Sequence, residues 1–334
     1  MADLQIGSAR AGAGEVGFGS IPVSELNDGS PIEVPVCVIR GAADGPCLWI
    51  QNGVHGDEYV GAAAIGRLIR EVDPTRLRGT LVLIPELNIQ AFRAGTRMAP
   101  QDGLDMNRIW PGAPIERAMH LWAHTELAAH TVLQHILKHA TVLLDVHDAG
   151  WMGLMSPYVA YYKGPTPEFE HPVKALAVAS GMDLIWETVP EWVSEKVPGS
   201  IKTQMTKAQI PSVTLEVGGE GRVKPEHVDR MYRSFTNILR HLEMLPGDPE
   251  LPPQQVFVNR ATWIRAPIGG YLFTHVNPLD RVEEGHPLAT ITDLFGRPRQ
   301  VLTAPTAGWI VGVRTFGTVA TGQYITNVSR YIEA

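Results

Sequence analysis

Short apolar runs alternate with segments of helical period over the first three quarters of this chain. Residues 141–147 are mostly apolar and strand-forming, which is typical of a buried strand. In 59–71, by contrast, Val60, Ala64 and Leu68 recur every four residues along one face of a helix. This alternation predicts an α/β fold with a mixed, mainly parallel sheet flanked by helices. The predicted strands are 32–40, 47–51, 81–84, 141–147 and 213–217, and the predicted helices are 59–71, 115–140, 171–181 and 225–243.

The pattern changes at 246–253, a proline-rich segment that is typical of a linker. Residues 255–334 carry strand formers and turns without a helical period. A weak repeat relates 270–291 to 308–328, which indicates a pair of pseudo-symmetric hairpins. With 334 residues the chain is long enough for two domains. We therefore expect a first domain at 1–250 and a small all-β domain at 255–334 that is similar to a biotinyl/lipoyl-like barrel sandwich, without its modified lysine.

Charge and composition exclude several classes of partner. The net charge of −7 and the lack of a basic run argue against nucleic acid and anionic membranes. No apolar run approaches the roughly 18 residues of a membrane-spanning helix. The first residues lack a basic segment followed by an apolar one, so we expect a cytoplasmic protein. Cys37 and Cys47 lack the spacing of a metal site and are expected to be buried free thiols, with a disulfide between them as the alternative.

Candidate chemistry lies where three of the predicted strands end. His55 and Glu58 follow the strand at 47–51 after a short turn, His147 closes another strand, and Glu216 lies near the end of a third. In open α/β sheets, sites form at the carboxyl ends of the strands, so these side chains should converge. Two histidines and one carboxylate are the ligand set of a catalytic zinc site, which leaves one position for water. The spacing therefore predicts hydrolysis with one zinc ion per chain.

Four motifs follow one another in this order: Asn-Gly-Val-His-Gly-Asp-Glu at 52–58, Asp-Met-Asn-Arg-Ile-Trp-Pro-Gly at 105–112, Leu-Asp-Val-His at 144–147, and Thr-Leu-Glu-Val-Gly-Gly at 214–219. Together they resemble the succinylglutamate desuccinylase/aspartoacylase family, which is related to the zinc carboxypeptidases. The resemblance covers about 50–225. It implies a zinc-carboxypeptidase-like catalytic domain and a small-molecule N-acyl amino acid as the substrate.

The resemblance also implies a role for each matching position. His55, Glu58 and His147 would bind zinc, and Glu216 would be the general base. A substrate carboxylate would be held by Asn107 and Arg108, and the scissile carbonyl would be polarised by Arg97. The alternative for Glu216, Asn107 and Arg108 is a structural role in their own loops.

The implied reaction is hydrolysis of an amide bond, with a zinc-activated water and Glu216 as the proton carrier. One alternative is a metallocarboxypeptidase that acts on short peptides. The β-domain at 255–334 favours the deacylase, because it would narrow the entry for a peptide. Another alternative is a binding module with a degenerate site, against which the complete set of candidate residues argues. A homo-oligomer is the default expectation.

Other histidines could also be metal ligands, and two acids could act on the imidazoles. Two pairs have the spacing of zincin ligands, namely His120 with His124 and His135 with His139. Neither pair has a glutamate after its first histidine, so we interpret them as partly exposed helix positions. Asp57 and Asp148 are candidates for orienting the zinc-binding imidazoles or for acting on them electrostatically. For Asp57, stabilisation of the turn is an equal alternative.

Overall fold

A twelve-stranded mixed sheet runs through the molecule, and a smaller four-stranded sheet and a two-stranded one accompany it. The computed structural model describes residues 3–118, 124–164, 166–189 and 198–333. The helices are α1 (Val60–Glu71), α2 (Ile89–Ala94), α3 (His124–His139), α4 (Pro167–Ala179), α5 (Ile201–Lys207) and α6 (Pro225–His241). The strands are β1 (Leu4–Ile6), β2 (Ala9–Ala11), β3 (Glu15–Glu25), β4 (Pro31–Arg40), β5 (Ala43–Gln51), β6 (Arg78–Ile84), β7 (Val142–His147), β8 (Gly153–Tyr162), β9 (Leu184–Thr188), β10 (Ser212–Gly219), β11 (Val256–Arg265), β12 (Gly270–Thr274), β13 (Arg281–Val282), β14 (Pro287–Thr292), β15 (Pro298–Thr303), β16 (Gly308–Arg314), β17 (Thr318–Val319) and β18 (Tyr324–Tyr331).

The four strands β6, β5, β7 and β10 lie side by side and run parallel. Every residue of β7 is buried, as expected for a strand that is covered on both faces. Because side chains alternate across a strand, Leu48 and Ile50 of β5 join a core with α1, α4 and α6, whereas Trp49 joins a second core with α3 and α5. The predicted α/β class is confirmed.

The large sheet is mixed, as predicted, but it is not mainly parallel. In the order β13-β16-β18-β11-β9-β8-β10-β7-β5-β6-β4-β3, five neighbouring pairs are parallel and six are antiparallel. Three of the antiparallel pairs join strands that follow residue 255. The difference arises because these hairpin-forming strands continue the sheet instead of standing apart from it.

Two helices begin elsewhere than their apolar pattern predicts. The predicted helix over 115–140 is not continuous, because residues Ile115–Arg117 form a 3-10 turn and Ala118 is extended, and the described part of α3 is His124–His139. The helix predicted at 171–181 begins earlier, at Pro167, because the Thr166 hydroxyl accepts the backbone N–H of Phe169 and caps it. Proline at the first position of a helix reinforces that start.

The strands after residue 255 show the expected repeat in their pairing. β12 pairs with β14, and β16 pairs with β18. Each repeat also contains a short strand that pairs with the other repeat: β13 of the first pairs with β16, and β17 of the second pairs with β12. This reciprocal pairing supports two copies of one hairpin unit.

Strand pairing also crosses the predicted domain boundary. β11 pairs with β9 in parallel, and β16 pairs with β8 in antiparallel fashion. The later strands are therefore part of the sheet that carries the candidate site. The division at 250–255 and the barrel-sandwich class stay predictions.

The two cysteines lie on consecutive strands of the first part of the chain, β4 and β5. Cys37 and Cys47 are both free, but only Cys37 is fully buried. Burial raises the pKa of each thiol to about 12, so both are protonated at neutral pH. Among the described residues, no helix is long and apolar enough to cross a membrane.

Candidate metal centre

Two imidazoles and one carboxylate meet at the carboxyl ends of β5 and β7. The turn after β5 carries His55 and Glu58, and His147 is the last residue of β7. The Nδ1 atom of His55 lies 2.7 Å from Glu58 Oε1, and that of His147 lies 2.7 Å from Glu58 Oε2. All three side chains are buried, and their candidate ligand atoms lie within 4.8 Å of one another. The structure thus brings together the three residues predicted to bind a metal, in a group that could hold one ion.

The turn that carries His55 and Glu58 depends on a close approach of backbone at Gly56. A Cβ atom at this position would overlap the backbone of Ala91 and Phe92 in α2. Only glycine avoids that overlap without a shift of the helix. The side-chain amide of Asn52 donates to the backbone oxygen of Glu58 at 3.0 Å and holds the other end of the turn.

A carboxylate lies behind each imidazole. Asp145 Oδ2 is 3.0 Å from His147 Nε2, and Asp105 Oδ1 is 3.2 Å from His55 Nε2. When each Nε2 donates its N–H in this way, the lone pair of Nδ1 is left for a metal, as is usual around histidine ligands. The amide of Gln51 donates to the other oxygen of Asp145 at 3.0 Å. The ligand atoms and their supporting hydrogen bonds therefore fit a bound divalent cation.

The two acids expected to orient the imidazoles contact backbone amides instead. Asp148 accepts the N–H groups of Val60, at 3.1 Å, and Gly150, at 2.7 Å, and so stabilises the first turn of α1. Asp57 lies 3.5 Å from the backbone nitrogen of Trp151. The turn-stabilising alternative for Asp57 agrees with this contact, and the expected orienting role passes to Asp105 and Asp145.

Glu216 lies beside His147 because the two residues are paired in register between β10 and β7. On the other side, Tyr158 of β8 is its antiparallel partner, and the tyrosine hydroxyl interacts with its carboxylate. Burial raises the pKa of Glu216 to about 7, although the charge of His147 opposes the rise. A carboxyl group with a pKa near neutrality can both accept and donate a proton. Glu216 is thus placed to transfer protons next to the candidate metal ligands.

The lining of the same cavity includes hydrogen-bond donors that the candidate ligands do not supply, among them Arg97, Asn107, Arg108 and Lys202. Arg97 lies 3.5 Å from Glu58 Oε1 and 3.3 Å from Asp105 Oδ2, which ties it to the metal cluster. The guanidinium of Arg108 donates to the backbone oxygen of Asn107 at 2.9 Å. The cavity therefore combines a group of candidate metal ligands with cationic side chains that suit an anionic ligand.

Lys202 had no part in the predicted site. It lies in the first turn of α5, and within the described residues it forms no ion pair with a carboxylate. Burial lowers the pKa of its ammonium group, and the charges of Asp145 and Glu216 partly offset this effect. A free ammonium group that faces the cavity can bind a substrate oxygen.

The apolar part of the cavity is formed by Met155, Tyr158 and Trp263, and the whole cavity measures about 260 Å³. Trp263 lies on β11, downstream of the linker, and its side chain is 41% exposed. Its ring centroid is 6.4 Å from that of Trp186, which in turn lies 5.7 Å from Tyr158. The strands after residue 255 thus contribute a side chain to the candidate site itself.

Asp145, Lys202 and Trp263 were not predicted as site residues, and only Asp145 has a recognisable signal in the sequence. Asp145 precedes His147 by two residues, and residues two apart point to the same face of a strand. That spacing was a usable signal. Lys202 and Trp263 carry no such signal, because only the tertiary fold brings α5 and β11 to the cavity.

The helical histidines show no comparable cluster. His135 and His139 stack with ring centroids 6.3 Å apart, and His124 Nδ1 lies 3.1 Å from the hydroxyl of Ser24. His120 lies outside the described residues. Among the residues that the structure does describe, the one group of three or more potential metal ligands is His55, Glu58 and His147.

Comparison with known proteins agrees with this geometry. Residues 44–242, more than half of the chain, match the succinylglutamate desuccinylase/aspartoacylase catalytic domain. The chain belongs to this family. The family resemblance of the four sequence motifs is thereby confirmed, and all four motifs lie within the matched residues.

Relatives within the succinylglutamate desuccinylase/aspartoacylase family extend over most of the chain. The N-alpha-acetyl-L-2,4-diaminobutyric acid deacetylase of Halomonas elongata is 26% identical over 288 residues, which are 83% of this chain and 80% of the relative. The crystal structure of a succinylglutamate desuccinylase/aspartoacylase from Rhodobacter sphaeroides has a TM-score of 0.84 at 26% identity and covers 95% of this chain and 96% of its own. The product-bound ectoine utilization protein EutE (DoeB) from Ruegeria pomeroyi shares the fold, with a TM-score of 0.84 at 23% identity over 95% of both chains.

Proposed function

We propose that this protein is a zinc-dependent amidohydrolase that removes the acyl group from a small N-acyl amino acid or a related metabolite. The observation that carries the proposal is the meeting of His55, Glu58 and His147 with Glu216 in one cavity. Two imidazoles and a carboxylate suit zinc and leave a coordination position open. The Halomonas relative is named as a deacetylase of an acetylated amino acid, which supports the same reaction class.

Each residue of the candidate metal centre has its own role in the proposed reaction. Zinc held by His55, Glu58 and His147 would polarise the scissile carbonyl and acidify a water molecule. Glu216 accepts a proton from the attacking water and delivers it to the leaving amine nitrogen. Tyr158, paired with Glu216 across β8 and β10, would help to orient the Glu216 carboxylate.

Substrate recognition rests on the donors that line the cavity. Asn107 and Arg108 hold a carboxylate of the substrate, for which a planar guanidinium offers two parallel hydrogen bonds. Lys202 adds a third positive or polar donor at the same cavity. Arg97 stabilises the oxyanion that forms on the scissile carbonyl, an effect typically worth about 3–4 kcal/mol.

The cavity favours a small metabolite over a peptide. Its volume of about 260 Å³ is below the roughly 300–1,000 Å³ of pockets for drug-sized ligands. Trp263 on β11 also occupies part of the lining, which leaves less room for a longer chain than a carboxypeptidase needs. The proposal includes a cytoplasmic location and a homo-oligomeric state, as expected from the sequence.

The general base is tested by Glu216→Gln, with Glu226→Gln on the exposed side of α6 as its matched control. The proposal predicts that Glu216→Gln retains zinc but loses turnover by about 10²–10⁴-fold, because an amide cannot accept the proton. Hydrolysis is followed over a panel of N-acyl amino acids in which acyl and amine parts vary separately. A near-normal rate in Glu216→Gln would remove the assigned base, and no hydrolysis of any panel member by the zinc-loaded wild type would contradict the proposed activity.

The dependence of activity on pH should also differ between the wild type and Glu216→Gln. Glu216 must be deprotonated to act as a base, so activity is lost as pH falls through its pKa. Burial raises that pKa to about 7, and a bound dication stabilises the carboxylate and moves the loss to lower pH. We expect an acid limb below pH about 7 in the wild type that Glu216→Gln lacks.

A further inference from the structure

A second cavity of about 560 Å³ adjoins the candidate metal centre. The two cavities share Ala149 and Met155 in their linings, so a ligand group in one lies next to the other. The second cavity is bounded by the starts of β8 and β18, by the ends of β11 and β16, and by residues 321–323. Nothing in the proposed reaction uses this space.

Arg314, the last residue of β16, lines this cavity although it is only 6% exposed. Its Nε donates to the backbone oxygen of Thr318 at 3.0 Å, and its Nη1 lies 3.6 Å from the sulfur of Met152. The guanidinium carbon also lies 5.4 Å from the centre of the Phe316 ring. Within the described residues, no carboxylate forms an ion pair with it. A backbone oxygen, a thioether and an aromatic ring thus surround a buried positive charge.

Arg265, the last residue of β11, lines the same cavity from another strand. Its Nη1 donates to the backbone oxygen of Gly322 at 3.0 Å, and its side chain is exposed. Among the residues that the structure describes, the lining contains two arginines and no acidic residue. A buried charge without a counter-charge is costly, and the cost falls when an anion binds.

We propose that this second cavity is a subsite for a small anionic group, a carboxylate or a phosphate, which Arg314 and Arg265 bind. The fork of donors on each guanidinium matches the paired oxygens of such a group. The anion is either the far end of an elongated substrate or a separate small molecule. The subsite follows from the two arginines and the cavity, and it stands independently of the hydrolytic reaction.

The first test measures binding of succinate to the zinc-loaded protein by calorimetry, with uncharged succinamide as the reference compound. Arg314→Met keeps an unbranched apolar stem and removes the charge, and Arg330→Met on the exposed end of β18 is the matched control. We expect Arg314→Met to weaken succinate about tenfold or more, as for loss of a charge-assisted hydrogen bond. The affinity of Arg330→Met for succinate should equal that of the wild type, and the affinity for succinamide should be the same in all three proteins.

Two further variants keep the result interpretable. If Arg314→Met does not fold, Arg265→Met carries the same test, because its exposed side chain can be removed with little effect on packing. Succinate that binds at the metal centre instead would respond to Arg108→Met. We expect the loss caused by Arg314→Met to persist in an Arg108→Met background, because the two positions belong to different cavities.

The source of the anion is assigned with two substrates, one whose acyl group ends in a carboxylate and one that ends in the corresponding amide. If the substrate supplies the anion, Arg314→Met raises KM for the first substrate alone. If a separate anion binds, KM is unaffected for both, and inorganic phosphate binds the wild type more tightly than Arg314→Met. Equal binding of succinate and of phosphate by the wild type, Arg314→Met and Arg265→Met would overturn the subsite. Because binding needs no turnover, that failure is distinct from a failure of the proposed hydrolase activity.

Discussion

The candidate site has two walls with different origins. The metal side comes from the ends of adjacent parallel strands and carries His55, Glu58, His147 and Glu216. It is buried, charged and connected by hydrogen bonds of 2.7–3.2 Å. The other wall includes Trp263, which comes from the strands after residue 255 and is held by ring contacts. Beyond it lie Arg265 and Arg314 of the second cavity.

This difference separates chemistry from selectivity. The topology of the parallel strands determines which side chains meet at their carboxyl ends, so the metal side is determined by the core of the fold. The later strands join that sheet at its edge and contact the cavity from outside. We infer that substitutions on the metal side abolish the reaction, whereas those on the second wall change which substrate reacts.

The largest effect on metal affinity short of losing a ligand is expected from Asp145→Asn on the metal side. Asp145 orients the imidazole of His147, and loss of such a partner typically weakens metal binding by about 10–100-fold. Zinc affinity is measured by competition with a chelating dye. Asp57→Asn is the control, since Asp57 faces a backbone nitrogen instead of an imidazole. Equal zinc affinity in the two variants would show that Asp145 does not orient the ligand.

A smaller effect is expected from Lys202→Met, which removes a donor from the cavity but not a ligand. kcat/KM for a substrate with a carboxylate should fall about tenfold, mainly through KM, as for loss of one hydrogen bond to a charged group. Zinc content should not change. Lys207→Met at the exposed end of the same helix is the control. An unchanged KM in Lys202→Met would exclude this lysine from substrate binding.

The smallest effect, and the one most specific to the second wall, is expected from Trp263→Ala. The extra space should raise kcat/KM for a longer acyl chain relative to acetyl by about fivefold, within the range for packing against one or two methylene groups. Tyr271→Ala, on the exposed face of β12, serves as the reference. If the wild type, Trp263→Ala and Tyr271→Ala all show the same preference between acyl chains, β11 has no part in selectivity.

The same contrast explains how much could be predicted from the sequence. The metal side was predictable because each ligand follows an apolar strand run within a few residues, as His147 does in β7. The α/β class and the later hairpin repeat could be predicted for the same reason, since both depend on local periodicity. The orienting role considered for Asp148 was wrong, because its carboxylate accepts backbone amides, while its electrostatic role stays a prediction.

The second wall could not be predicted because its residues lie far from the others along the chain. Trp263 reaches the cavity because β11 pairs with β9 and continues the large sheet. Periodicity within 255–334 predicts strands but not the strand that each of them joins. Lys202 reaches the cavity through the packing of α5, for which the sequence carries no motif.

The central claim is that His55, Glu58 and His147 hold one zinc ion, and the metal content of the purified protein tests it most directly. Metal content is measured by mass spectrometry for the wild type, for His147→Ala and for His135→Ala as a control on helix α3. The account predicts one zinc per chain in the wild type and in His135→Ala, and little or none in His147→Ala, because two ligands bind zinc far more weakly than three. Absence of zinc from the wild type after incubation with the metal, or full zinc content in His147→Ala, would contradict it.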